Sequence, residues 1–375
     1  MKSAIGIALF ISVMVFAIYA ATLRDSGVIK LPLSKRRSAY QKRGNAEDNI
    51  KLGHFADTDT IYYATIKIAG QQFQVAFDTG SYDLWVPGIS CSDPVCTNHN
   101  RFDPSKSATF EPTDKNFTFK YHDGKTADVD IGYDTVSIGG KTAKNQVFGV
   151  AKAVTFGKSN LSFDGIMGMG PGKYGQLQNV TLFHQLIEQG AVKDSVFGIY
   201  FDRINDSTSS DSEVTLGGVD TSKFTGDLVY NNLVPNASHW QISLDDLIVN
   251  GSPLGFKDRT ANIDTGTSYI TIPETDLTTL NGCINGNIIT MKKLKTIEIP
   301  CNMNQALSLK FANVAYKIKT EDLIFPYQNS CILGFFSTVN STISQWIVGD
   351  TFLRNVYSVF NISGPTVGFA QLVKD

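Results

Sequence analysis

The chain of 375 residues reads as a mostly β protein built from two duplicated halves. Three observations predict this. First, "VAFDTGSYDLWVP" (75–87) aligns without a gap on "ANIDTGTSYITIP" (261–273). Both read Asp-Thr-Gly, Ser or Thr, two variable residues, an aliphatic, one more residue, Val or Ile, then Pro. Asp78 and Asp264 lie 186 residues apart, half the chain. A single D-T-G arises by chance only about 0.1 times in a chain this long, so the repeated pattern marks an internal duplication. Second, Val, Ile, Thr, Phe and Tyr cluster in short runs between turns and Gly is plentiful, which favours strands over helices. Third, 42% hydrophobic and 18% charged residues leave room for two domains with a sizeable core.

In chain order, Lys2 precedes an apolar run, "AIGIALFISVMVFAIYAA", that ends in small residues. This is the pattern of a secretory signal over 1–21, cut near Ala20 or Ala21. At about 18 residues the run also has the length of an uncleaved anchor. The other end, "FAQLVKD", carries no hydrophobic tail, which argues against a lipid anchor there.

Residues 22–43 read as a basic leader. Residues 1–43 hold eight Lys or Arg and one acid, Asp25, so that of the chain's 33 bases and 35 acids the remainder keeps 25 and 34, a net charge of −9. The leader ends in "SKRRSAYQKR", whose pairs Arg36-Arg37 and Lys42-Arg43 suit a kexin-like processing protease and place the mature N-terminus near Gly44. A cationic leader beside an acidic body predicts an electrostatic latch, released as the body's carboxylates protonate. The alternative is a solvated basic linker. An acidic body without a basic patch gives no support to nucleic-acid binding.

"IYYATIKIAGQQFQVAFDTG" then alternates as two strands joined around Gly70, a hairpin that delivers Asp78. "DTVSIGGKTAKNQVFGVA" is a second hairpin pattern, turning at Gly139-Gly140. "TLFHQLIEQGAV" is a helix in which Leu182, Leu186 and Ile187 share a face and Gly190 ends the run. "ETDLTTLNGC" is a shorter helix, and "NDSTSSDSE" (205–213) a polar surface loop near the junction of the halves. "GGKT" (139–142) lacks the Gly that a phosphate loop needs five residues before Gly140, where Thr135 stands. The five His form no paired-ligand spacing and no Cys-X-X-Cys occurs, so there is no case for zinc or another cofactor. A G-x-S-x-G nucleophile elbow is also lacking.

Export agrees with eight Asn-X-Ser/Thr sequons. Asn250 and Asn361 fall close to strands, which leaves Asn116, Asn160, Asn179, Asn205, Asn236 and Asn340 as glycosylation candidates. Five cysteines in an oxidising compartment should pair where geometry allows. Cys91 and Cys96 close a short loop, and Cys301 with Cys331 a longer one, leaving Cys283. Spacing alone leaves open a Cys283–Cys301 bridge with Cys331 free.

If the halves pack about a pseudo-twofold axis, the two D-T-G turns meet and their carboxylates face each other. Like charges at hydrogen-bonding distance cannot both ionise easily, so the pair shares a proton. One carboxylate takes a proton from a water held between them; the other donates to a substrate carbonyl oxygen. That is general acid/base chemistry for adding water to an amide without a metal or covalent intermediate. Gly after Thr lets the backbone turn tightly, and Ser81 and Thr267 can bond the outer carboxylate oxygens.

With these motifs, the chain resembles a pepsin-like aspartic protease over essentially all of residues 50–375. "DGIMGMG" (164–170) and "WIVGDTFLRNVYSVFN" (346–361) resemble the family's two hydrophobic-hydrophobic-Gly segments, in order, and "LGGVD" (216–220) and "HWQISL" (239–244) match as well. Aspartic proteases are the standard illustration of a proton-sharing carboxylate pair. The resemblance implies a bilobal fold of two pseudo-twofold-related β-rich lobes, 44–200 with the first D-T-G and a β-hairpin flap, 201–375 with the second, and a central cleft between them. It implies the pairing Cys91–Cys96 and Cys301–Cys331. It also implies that the leader, whose "VIKLPL" resembles family prosegments, acts as an intramolecular inhibitor, with Lys30 and Lys35 as candidates to reach the catalytic carboxylates.

The flap departs from the family pattern. Tyr-Gly-X-Gly and a small residue are usual; here residues 121–125 read "YHDGK". By resemblance the Tyr121 hydroxyl bonds the Trp85 indole and closes over substrate, while His122 stands where Gly is usual. Asp123, beside Gly124, matches an acid that in some fungal members helps accept Lys at P1; the alternative is a cap on the hairpin turn. Ile166 and Tyr200 are implied to line the cleft, or are plain core. The sequence thus reads as a secreted, acid-acting endopeptidase zymogen, a monomer acting on polypeptides and blocked by pepstatin-type inhibitors, with a vacuolar or lysosomal location as the alternative to full secretion. The rivals are a dibasic-specific processing protease and a catalytically inactive peptide-binding homologue. Tolerance of a basic P1 residue is expected from Asp123; equal cleavage after Lys and norleucine in matched peptides, unchanged by Asp123→Ala, would sink that expectation.

Overall fold

The hairpins and the repeat determine the architecture. A computed structural model describes residues 27–37, 60–121, 124–156, 163–172, 175, 177, 180–203, 211–339 and 344–373. The signal run, residues 38–59 with Lys42, Arg43 and Gly44, the flap residues His122 and Asp123, and the sequons Asn160, Asn179, Asn205 and Asn340 lie outside the described residues.

Strands Thr60–Ile68 and Gln71–Asp78 form the first hairpin, closed by Ala69 and Gly70, both at positive φ (47° and 80°). The second joins Thr126–Ile138 to Lys141–Val154 through Gly139 and Gly140 at φ 55° and 82°. Consecutive left-handed residues are what a tight turn between twisted antiparallel strands demands. The helix spans Leu182–Glu188; the Thr181 side chain caps it by accepting the His184 N–H, and Leu182, Phe183 and Leu186 are buried. The second helix covers Glu274–Ile284. Short helices at Pro94–Thr97, Thr320–Leu323 and Asp350–Leu353 were not anticipated.

The duplication is explicit in strand pairing. In the first half, Gln71–Asp78 runs parallel to Gly165–Gly168, which is antiparallel to Leu84–Pro87; that strand in turn runs parallel to Lys141–Val154. In the second, Arg259–Ile263 runs parallel to Trp346–Val348, which is antiparallel to Ile270–Thr271; that strand runs parallel to Ser330–Thr338. In each half a D-T-G turn therefore leaves one strand and enters another with a hydrophobic-Gly strand between them. The fold is mostly β and bilobal, with an eight-stranded sheet in each half.

A six-stranded sheet draws on both halves, in the order Ile29–Pro32, Glu213–Leu216, Val196–Tyr200, Val356–Asn361, Thr366–Leu372, Phe224–Asn232. Its Phe197 stacks on Phe360 at 4.9 Å and meets Phe77, the residue before Asp78, edge-on at 5.9 Å. The Trp240 indole of "HWQISL" packs on the same pair and donates to the Met169 carbonyl across the halves at 2.8 Å. The base under the D-T-G turns is thus built from large, fully buried aromatics, each covering much more apolar area than an aliphatic side chain.

The leader is woven into this body. Ile29–Pro32 pairs antiparallel with Glu213–Leu216 at the edge of the six-stranded sheet, and Ser34–Arg37 with Thr60–Ile68. Ile29, Leu31 and Leu33 are buried in the main core. Cys91–Cys96 and Cys301–Cys331 are bonded, and Cys283, on the last turn of Glu274–Ile284, is an exposed free thiol. Asn116 and Asn236 are exposed. Asn250 sits in an exposed hairpin turn, and its side chain accepts the Ala306 N–H.

Candidate active site

Each aspartate is held by its own turn in the same way. Asp78 Oδ1 accepts the Gly80 N–H at 2.8 Å and Oδ2 accepts the Ser81 hydroxyl at 2.5 Å. Asp264 Oδ1 accepts the Gly266 N–H at 2.8 Å and Oδ2 the Thr267 hydroxyl at 2.8 Å. The turns are braced by their neighbouring strands: Gly170 N–H bonds the Ser81 carbonyl at 2.8 Å, and Asp350 N–H bonds the Thr267 carbonyl at 2.9 Å.

The glycines show how closely the turns approach. A Cβ on Gly80 would fall on the Asp264 carboxylate, and a Cβ on Gly266 on that of Asp78. Any other residue at either position would push the pair apart. Burial, followed by the charge of Asp264, pushes the Asp78 carboxyl up to about 7. Such a pair retains one proton up to near-neutral pH.

The threonines of the motif do something the sequence reading did not assign. The Thr79 N–H donates to Thr265 Oγ1 and the Thr265 N–H to Thr79 Oγ1, both at 3.0 Å. Each hydroxyl then donates onward into the opposite half, Thr79 to the Ile263 carbonyl at 2.8 Å and Thr265 to the Phe77 carbonyl at 2.7 Å. Both side chains are buried. The available signal was the invariance of Thr between the two copies, but its meaning depends on the turns facing each other.

Above Asp78, the Trp85 indole N–H donates to the Tyr121 hydroxyl at 2.7 Å. Tyr121 packs against a buried cluster containing Trp85, Phe156, Phe163 and Ile166. Ile166 lies in register with both Ala76 and Trp85, next to the Asp78 strand. Gly124 is at φ 84° and donates its N–H to the Tyr121 carbonyl, so the hairpin turns here. Tyr200 stands elsewhere: it is in the six-stranded sheet, packed with Tyr357, Val359 and Leu372, with the Lys223 ammonium 4.6 Å from its ring centre. That is the packing of its core reading.

Lys30 does not point to the aspartate pair. Because Ile29 and Leu31 face the core, strand alternation turns Lys30 outward, where it bonds Asp220 and lies 3.9 Å from Glu213. Lys35 donates to the Arg203 carbonyl at 2.8 Å and lies 3.8 Å from Asp202. Burial works to raise the Asp220 carboxyl, but the Lys30 ammonium and the Ser222 hydroxyl and N–H outweigh it and hold it at about 2. The expected release of the leader by protonation therefore does not apply to this pair at moderately acid pH. Among the described residues no cluster of His, Cys, Asp and Glu could hold a metal ion.

Two facing, proton-sharing carboxylates at the seam of duplicated β halves define the aspartic peptidase class. The eukaryotic aspartyl protease family model matches residues 61–372, and the chain belongs to that family. It is similar to the aspartic-type endopeptidase ctsD of Aspergillus fumigatus, 33% identical over 84% of this chain and 66% of that protein. It is also similar to gastricsin of Cavia porcellus, 33% identical over 93% of this chain and 91% of that protein, and to pepsin A of Bos taurus, 31% identical over 92% and 99%. The chain spans about two thirds or less of the fungal relatives, 61% of the CTSD protein of Arthroderma benhamiae.

Replacing Thr265 by Val keeps the shape of the side chain and strands the Thr79 N–H and the Phe77 carbonyl. At about 1–3 kcal/mol for each of the two buried unpaired groups, the expected loss is about 2–6 kcal/mol. Thr79→Val strands a different pair, the Thr265 N–H and the Ile263 carbonyl, and should cost about as much, alone and again in the Thr265→Val background. Urea unfolding of the four proteins checks this, and a loss below about 1 kcal/mol in either single variant would refute the brace.

Proposed function

We propose that this chain is an acid-acting aspartic endopeptidase, exported through the secretory route and made as a zymogen. The observation that supports it best is the pair Asp78 and Asp264, each fixed by its own turn and facing the other across the opposite glycine. A water between them gives a proton to the ionised carboxylate while its oxygen attacks the substrate carbonyl carbon. The protonated carboxyl gives its proton to the carbonyl oxygen, leaving a tetrahedral gem-diol. Proton return to the amide nitrogen then breaks the C–N bond. The substrates are extended polypeptide segments, with Tyr121 over the cleft, and pepstatin-type inhibitors occupy the same place. Asp123 remains the proposed acceptor of a basic P1 side chain, although Lys125, two residues on, opposes its charge.

The shared proton gives the sign of the pH dependence. Asp78 is raised, so the pair keeps its proton in acid and loses it as pH rises through about 7. Cleavage of a denatured protein should be strong at acid pH and fade toward neutrality. Pepstatin should abolish it, and Asp78→Asn should lower kcat by about a hundred- to ten-thousandfold, as loss of half of the acid/base pair implies. A processed, folded protein without acid activity would refute the reading in favour of a peptide-binding homologue.

In the proposed zymogen the leader is severed by cutting, and moderate acid does not dislodge it. Asp220 has a depressed value, so its pairing with Lys30 is fully present above the ordinary Asp value and is lost only as pH falls toward about 2. Arg36 and Arg37 are in a paired strand, in register with Ile61 and Thr60, and a protease must bind its substrate as a free extended segment. Cleavage should therefore occur after Arg43 and leave Gly44 as the new N-terminus, with the leader still bound at pH 4. N-terminal sequencing and gel filtration test this; a first product starting at Ser38, or free leader at pH 4, would overturn it.

A further inference from the structure

We infer that Lys125 is a positioning residue for Tyr121, acting through the ring of Phe156. The inference rests on the protease reading, in which Tyr121 meets the substrate. Lys125 begins the return from the hairpin turn, and its carbonyl accepts the Tyr121 N–H at 2.9 Å, so the two residues are locked together at the backbone. Their side chains then converge on one ring. The Tyr121 ring centre lies 5.5 Å from that of Phe156 at a 59° tilt, and the Lys125 ammonium lies 5.7 Å from the same centre.

Phe156 is itself fixed. It is 5% exposed and packs against Trp85 at 5.6 Å, and Trp85 donates its indole N–H to the Tyr121 hydroxyl. The contacts form a closed loop, from Tyr121 to Trp85, to Phe156, to Lys125 and back to Tyr121 through the backbone. A cation over an aromatic face is attracted by the ring's quadrupole, more strongly as it is withdrawn from water, and Lys125 is half-buried. Lys125 offers the hairpin a hold on the cleft wall that is independent of the Tyr121–Trp85 bond.

Lys125→Met keeps the apolar stem and removes the charge; Lys125→Arg keeps the charge. In the processed enzyme, K125M should raise KM for a peptide substrate, and the Kd for pepstatin measured by calorimetry, by about two- to five-fold, the range expected of a partly exposed cation–π contact. The turnover number should change less, and K125R should behave as wild type in both measurements. K125M equal to wild type overturns the inference, as does K125R impaired as much as K125M, which would indicate a role in packing alone. A wild-type protein that neither cleaves peptides nor binds pepstatin overturns the protease reading together with the inference. Wild-type cleavage with an indifferent K125M overturns the inference alone.

Discussion

The reciprocal threonine bonds at the seam are the constraint on which the site depends. Two carboxylates that share a proton repel each other whenever that proton is missing, and burial sharpens the repulsion. Something must hold the turns together against it. Thr79 and Thr265 do so with neutral hydrogen bonds, each residue both donating and accepting, so the brace does not itself titrate. Because every bond of the brace crosses between halves, the separation of the aspartates is determined at the seam and not inside either lobe. The glycines Gly80 and Gly266 allow the approach that the threonines enforce.

The six-stranded sheet extends the same logic outward. Phe197 and Phe360 belong to a layer shared by both halves, and Phe77 and Trp240 rest on it from opposite sides of the seam. A rigid aromatic base below and the threonine brace above leave the turns little freedom. The proposed chemistry needs just this, since small displacements of reacting groups are costly in rate.

Much of this was legible in the sequence because it was written twice. The gapless match of 75–87 with 261–273 locates both turns, and the alternation around Gly70 and Gly139-Gly140 gives two hairpins, the first of which carries Asp78. The orientation of Lys30 was also available: "VIKLPL" puts Ile29, Leu31 and Leu33 on one face, which obliges Lys30 to take the other. The Lys125–Phe156 contact was not legible. Its partners lie on different strands, and neither spacing nor alternation reveals which long side chain crosses to which ring. The short helix Asp350–Leu353 was likewise hidden, since its fully buried sequence carries no amphipathic pattern.

The two perturbed carboxyls, taken together, explain why acid alone is a poor switch for this chain. Asp78 is shifted up by burial and by its like-charged partner, so acidification favours the protonated pair that the proposed chemistry requires. Asp220 is shifted down by Lys30, so the same acidification leaves the leader strand's ion pair intact. The outer strand of the leader is also held by backbone hydrogen bonds and by the burial of Ile29, Leu31 and Leu33, none of which responds to pH. On the proposed reading, the pair is protonated across moderately acid pH while the Lys30–Asp220 contact persists. Under the proposed function, a chain with these opposed shifts can couple activity to maturation only through a change in covalent structure.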